Sequence, residues 1–179
     1  MCLDYDHLRR GEIPPRRLIA GGDGAFNDPT RAPPGGGIFY GVTFAPYNLQ
    51  KGGAAAWDEA KEAAADVSLQ YYRKFFTNLT DDNILARLVR SPLDHERDSP
   101  ASFVKGDVHG CAPFFYQTIG HRPTPDLGNL KVPGIGGLYL VGPFMHPGGG
   151  VFGAGRATAI QMMDDLEIDY DKVLSGAVR

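Results

Sequence analysis

At 179 residues the chain is long enough for one sizeable core or two small lobes, and 42% hydrophobic against 22% charged residues excludes a disordered tail. A formal net charge of -3 and a pI near 5.9, with basic residues scattered apart from pairs such as Arg9–Arg10 and Arg16–Arg17, exclude the footprint of a nucleic-acid binder. The only cysteines, Cys2 and Cys111, have neither CxxC nor metal-knuckle spacing; a disulfide scaffold is excluded and a small buried hydrophobe is their ordinary role.

In chain order, the stretch through Gly11 reads as the end of a helix, with Leu3, His7 and Leu8 on one side and Gly11 as its C-cap. Leu18, Ile19 and Ala20 read as a short buried strand, followed by a turn-rich loop from Gly21 to Gly37. Residues 38–44 alternate with period two, and aromatics on both sides predict a strand covered on both faces. Trp57, Ala60, Ala64, Val67, Tyr71 and Phe75 recur at helical spacing. With Asp58, Glu59 and Glu62 near the start, where the helix dipole favours acids, they predict a helix over 57–76.

Residues 84–90 read as a second strand stopped by Pro92, and Asp94 to Asp98 as a solvated polar turn or short helix. The Asn78–Thr80 sequon is a chance match in a loop. Near residue 100 the composition changes to few charges and many aromatics, which places a domain boundary there. Leu138 to Val141 then form an apolar strand, Gly142 to Gly150 a loop, and roughly 151–166 a helix. The architecture expected is α/β: an α+β portion over 1–100 and a strand–loop–helix portion within 101–179.

The glycine loop carries the chemistry. Helix N-termini present unpaired N–H groups and partial positive charge, and Gly148, Gly149 and Gly150 remove every Cβ that would block a flat or anionic group. Gly148, Gly150 and Gly153 also satisfy GxGxxG. Five residues from Pro143 to Pro147 separate this from the preceding strand, however, and no second parallel strand follows, so a complete dinucleotide fold is disfavoured.

The wording of the segment, Gly137–Gly142 followed by His146, Pro147, Gly148, Gly149, Gly150, Val151, Gly153, Gly155, Arg156 and Ala157, resembles the C-terminal FAD motif of phytoene dehydrogenase-like flavoproteins. Asp28 to Gly35 leading into an aromatic strand, Pro92 to Asp98, and Gly106–Asp107 are similar to the same family in the same order. The resemblance implies an amine oxidase-related, two-lobed FAD-binding fold. Residues 1–100 would be the last part of the substrate lobe and 101–179 the returning part of the FAD lobe. It implies a partial FAD site at Gly142, His146, Pro147, Gly148, Gly149, Gly150 and Val151, with the turn against the flavin's pyrimidine edge, where reduction builds negative charge. The strand, GxGxxG and helix that hold the ADP moiety in that family are not among these 179 residues. The expected partner is therefore an N-terminal half or a separate FAD-binding subunit, with homo-oligomers when the chain is isolated.

His146 is the candidate for acid or base chemistry, with a positioning role favoured because a flavin itself takes up hydride. Tyr40, Phe44, Tyr47, Phe114 and Phe115 are candidates for an apolar substrate site, with core packing as the alternative. His109 and His121 have no metal-site spacing and no metal is expected; no GxSxG is present for a serine hydrolase. No apolar run approaches the ~20 residues that cross a bilayer, and no signal peptide is recognised, which makes the cytoplasm the expected location. The alternatives to a flavoenzyme part are a non-catalytic scaffold subunit of the same fold and a self-sufficient nucleotide-binding domain.

Overall fold

The computed structural model describes residues 2–15, 19–110, 115–148 and 153–176, so the expectations placed on Leu18, Cys111, Phe114, Gly149, Gly150 and Val151 lie outside the described residues. The chain is mixed α/β and divides into two compact units, Met1–Arg97 and Asp98–Arg179.

The first unit opens with α1 (Cys2–Arg9), which ends as expected at Gly11, where φ is +72°. Strands β1 (Ile19–Asp23) and β2 (Phe39–Thr43) pair antiparallel, Ile19 opposite Thr43 and Asp23 opposite Phe39. Asp23 closes the long connection between them: its Oδ1 accepts from the backbone N–H of Ala25 at 2.8 Å and of Ile38 at 3.0 Å. The loop expected over 21–37 is in part structured, since β1 runs to Asp23 and a helical turn, α2 (Gly24–Asn27), follows it.

Helix α3 (Trp57–Tyr72) forms where the apolar stripe predicts, with Asp58 and Glu59 in its first turn; Phe75 lies beyond its end. Trp57 is 2% exposed, and its indole N–H donates to the carbonyls of Pro46 at 3.0 Å and Tyr47 at 3.1 Å, so the largest apolar group of the helix is buried with its one polar atom satisfied. At the other end Tyr72 and Phe76 meet Phe39 edge-on, with centroids 4.7 and 5.1 Å away, and Tyr72 lies over Gly41. That covers one face of the hairpin. The opposite face, expected to be covered, exposes Tyr40, Val42 and Phe44, and β1, expected to be buried, exposes Ala20 and Gly21.

The strand expected over 84–90 does not form: the run has no regular structure and no ladder among the described residues, and Leu85 is 95% and Leu88 83% exposed. Asp94 to Asp98 take the second of the two forms expected, a short helix: they belong to α4 (Pro92–Asp98), opened by the proline that ends the run before it, and its charges are fastened to α3. Lys61 donates to Asp94 at 3.0 Å, Arg97 grips Asp58 with two bonds of 2.5 and 2.8 Å, and the Tyr47 hydroxyl donates to Glu96. Burial alone would raise the Asp94 carboxyl. The Ser91 N–H and hydroxyl and the Lys61 ammonium outweigh it and hold the group at about 2.

In the second unit, Leu130, Met145, Ala154 and Thr158 are buried around α5 (Gly153–Asp165). The strand expected over 138–141 is reduced to one antiparallel bridge between Tyr139 and Lys131, with Leu138 and Val141 exposed. Three side-chain bonds tie this bridge to α5. Thr158 Oγ1 donates to the Leu140 carbonyl at 2.9 Å, the Tyr139 hydroxyl donates to Asp165 at 2.6 Å, and Lys131 donates to the same carboxylate. The lysine first and the tyrosine next lower the Asp165 carboxyl, and the carboxylate in turn raises the Tyr139 hydroxyl. Helix α6 (Tyr170–Leu174) follows, capped by Asp169, and Arg156 rests over the Tyr170 ring at 5.7 Å.

Candidate functional site

The loop between the bridge and α5 brings together Gly142, His146, Pro147 and Gly148. Met145 at its centre is 0% exposed and anchors it, leaving His146 half-buried and Pro147 at the surface. Gly148 adopts φ +79°, a conformation that side-chain-bearing residues rarely take, and a Cβ there would stand 2.8 Å from Nε of Arg122. At Gly153, the first residue of α5, a Cβ would stand 2.8 Å from Cγ of Pro147. The glycine at the helix start therefore lets Pro147 of the loop pack directly against the helix. Gly155, two residues further on, faces open space.

Arg122 was not singled out by the sequence. It lies in an irregular stretch with no periodicity or motif around it, and the one local signal is the proline that follows. It is 5% exposed and binds the loop from beneath: Nη2 donates to the His109 carbonyl at 2.9 Å and the Pro143 carbonyl at 3.0 Å, and Nε donates to Pro143 at 3.3 Å. His109 is a loop residue, as expected; its backbone N–H donates to Asp107 at 2.8 Å.

A cleft of about 440 Å³ opens beside this loop, lined mainly by Phe103, Val104, Val108, Pro123, Pro143 and Phe144. None of the described residues expected to contact substrate lines it. Tyr40, Phe44 and Tyr47 belong to the first unit: Tyr40 is exposed, the Phe44 ring lies 6.2 Å from that of Tyr5, and Tyr47 is held by Trp57 and Glu96. The Glu96 carboxylate raises the Tyr47 hydroxyl. Phe115 is 90% exposed, its ring edge-on to Tyr116.

For a flavin ring, the loop offers Gly148 ahead of the N-terminal end of α5, and the space that the absent Cβ of Gly148 leaves is taken by the Arg122 guanidinium. For a diphosphate the fit is lacking, because among the described residues no strand runs directly into the glycine turn. No group of three or more potential metal ligands occurs among the described residues, and no helix there is long and apolar enough to cross a membrane.

Known proteins provide an independent comparison. The chain is 34% identical over 143 residues to "Pyridine nucleotide-disulfide oxidoreductase domain-containing protein 2" of Mus musculus, a match covering 78% of this chain and 24% of that protein, and to the same extent to its Rattus norvegicus counterpart. It is 28% identical over 145 residues to "Phytoene desaturase (lycopene-forming)" of Pseudescherichia vulneris, covering 78% of this chain and 27% of that enzyme. The chain thus spans about a quarter of the length of these relatives. No protein-family model matches it, and no solved structure does. Together the likenesses support a place for this chain within the FAD-dependent oxidoreductase superfamily, as a match to part of such a protein.

Proposed function

We propose that the chain forms the flavin-ring end of an FAD-dependent oxidoreductase of the phytoene dehydrogenase-like kind, and that its site is completed by an N-terminal nucleotide-binding half on the same or another polypeptide. The observation that carries this reading is the loop from Gly142 to Gly148, fixed by buried Met145 and Arg122 and leading to the N-terminal end of α5. When bound, the flavin accepts hydride from the substrate. The chain's own residues would position and shield it: the Gly142–Gly148 loop would border the ring, His146 would stand beside it, and the N-terminal end of α5 would offer backbone N–H groups to the electron-rich edge.

In this reading residues 1–100 end the substrate lobe and 101–179 return to the FAD lobe; the division between Arg97 and Asp98 is compatible with it. The substrate is an apolar organic compound, and the cleft beside the loop is of a size and lining to take part of one. Gly148→Val in the complete protein tests the site. A branched residue at φ +79° collides with Arg122, so flavin retained through purification should fall below about a tenth of wild type while apoprotein is still recovered. Full flavin content in that variant would remove the loop from the cofactor site.

A further inference from the structure

The cleft of about 440 Å³ lies wholly within the second unit, and Arg122 ties two of its walls together. The guanidinium donates to the carbonyl of His109, between Val108 and Gly110 on one wall, and to the carbonyl of Pro143, beside Phe144 on another. The buried cation holds these walls and is not itself among the residues that line them. Residues 99–104 complete the cleft. Between Val104 and Val108, which line the same space, Lys105 and Gly106 take φ of +54° and +71° and turn the chain back. Phe144 is set in place by two close approaches. A Cβ at Gly110 would stand 3.2 Å from its Cβ, and one at Gly142 would stand 3.0 Å from its Cε1, so glycine at both places lets the side chain lie this close.

The lining decides what the cleft can hold. No charged side chain is among the residues that line it, and its only polar side chains are the hydroxyls of Ser99 and Ser102, both on one wall. An ion moved from water into this space would lose hydration and meet no counter-charge, whereas a hydrocarbon gains by leaving water. A hydroxyl both donates and accepts, so the serines can match a hydroxyl or a carbonyl oxygen at their end of the cleft. We propose that the cleft is a binding site for an uncharged apolar molecule, or a segment of one, bearing at most a hydroxyl or carbonyl, and that Phe144 is the specificity-determining residue that sets the width of what enters. Binding here is a property of this chain and needs no flavin. Only the identification of the occupant as the substrate rests on the function proposed above.

The experiment uses the 179-residue chain without added flavin. The probes are 1-decanol, decanoate, decyltrimethylammonium and the bulkier 1-adamantaneethanol, each titrated against the neutral dye N-phenyl-1-naphthylamine. Wild type should bind 1-decanol at least about tenfold more tightly than either ion of the same chain length. Val108→Trp fills the cleft from a position already 42% exposed and should weaken 1-decanol by about tenfold or more. Leu85→Lys with Leu88→Lys, which removes exposed apolar surface in the first unit, should leave its binding unchanged. Phe144→Ala widens the cleft and should shift the affinity ratio about tenfold toward 1-adamantaneethanol. Decanoate held as tightly as 1-decanol overturns the uncharged class, and an equal loss of both alcohols in Phe144→Ala, the mark of a merely structural ring, overturns its role. Binding that survives Val108→Trp, or that disappears in the Leu85 and Leu88 double variant, belongs to exposed surface and overturns the site. If Val108→Trp does not fold by circular dichroism, Val104→Trp, at a position 54% exposed, takes its place under the same criterion. With no flavin present, a failure of the FAD reading in the Gly148→Val test leaves these outcomes standing, and an empty cleft leaves that reading untouched.

Discussion

Helix α3 with α4, and the run over 84–90 between them, differ in where their partners come from. Trp57 finds its acceptors ten and eleven residues upstream, and Asp58 and Lys61 find Arg97 and Asp94 on the next helix, so the two helices complete each other within the chain. The run between them has strand-like residues and no ladder; Leu85 and Leu88 stand in solvent. A helix satisfies its backbone internally and needs a neighbour only for one face, whereas a strand needs a neighbour for its backbone as well. The two helices therefore complete each other within the first unit, whereas the run over 84–90 has no backbone partner among the described residues.

The comparison breaks first at Trp57. Trp57→Ala empties the centre of the α3 contact and leaves the Pro46 and Tyr47 carbonyls without their donor, so urea unfolding should show a loss of about 3–5 kcal/mol. A loss under about 1 kcal/mol would mean that the helix is not held by this contact.

Asp94 gives the next largest effect. Its folded-state value is depressed to about 2, so its stabilising contribution is present above the unfolded carboxyl value near ~3.9 and is lost as pH falls from there through about 2. After allowance for solvent screening this is about 1–2 kcal/mol. Asp94→Asn should lower stability by that amount at pH 7 and flatten the acid limb between roughly pH 4 and 2; an unchanged acid limb would detach Asp94 from the clasp.

The smallest effect on the chain itself is expected at the bare leucines. Leu85→Lys with Leu88→Lys should change the stability of the isolated chain by less than about 0.5 kcal/mol, since neither side chain is buried. The same pair should prevent assembly with the complementary half, measured by co-purification. Normal assembly would show that the run faces solvent in the finished protein.

What the sequence made legible follows the same division. The stripe from Trp57 gave α3, the alternation at 38–44 gave β2, and the small residues after Gly153 gave α5, because each periodicity is set by the element's own geometry. The strands expected at 84–90 and 138–141 were read from their apolar residues, but pairing is a property of two segments: among the described residues 84–90 has no ladder partner and 138–141 has one bridge, Tyr139 to Lys131. The polar run at Asp94 to Asp98 was open between a turn and a short helix, and its ion-pair partners, Asp58 and Lys61 some 33 to 39 residues away, were not legible in the sequence. In the candidate site, Gly142, His146, Pro147 and Gly148 could be named from a motif. Arg122 could not, since it is defined by carbonyls 13 and 21 residues away.

The central claim, that this chain holds only the ring end of an FAD site, is tested most directly by titrating the 179-residue chain with FAD beside size-exclusion chromatography with light scattering, with and without the complementary half. The account predicts weak flavin binding and self-association for the chain alone, and a stoichiometric yellow complex once the half that carries the strand, GxGxxG and helix is added. A strictly monomeric chain that binds FAD stoichiometrically and tightly by itself would contradict it.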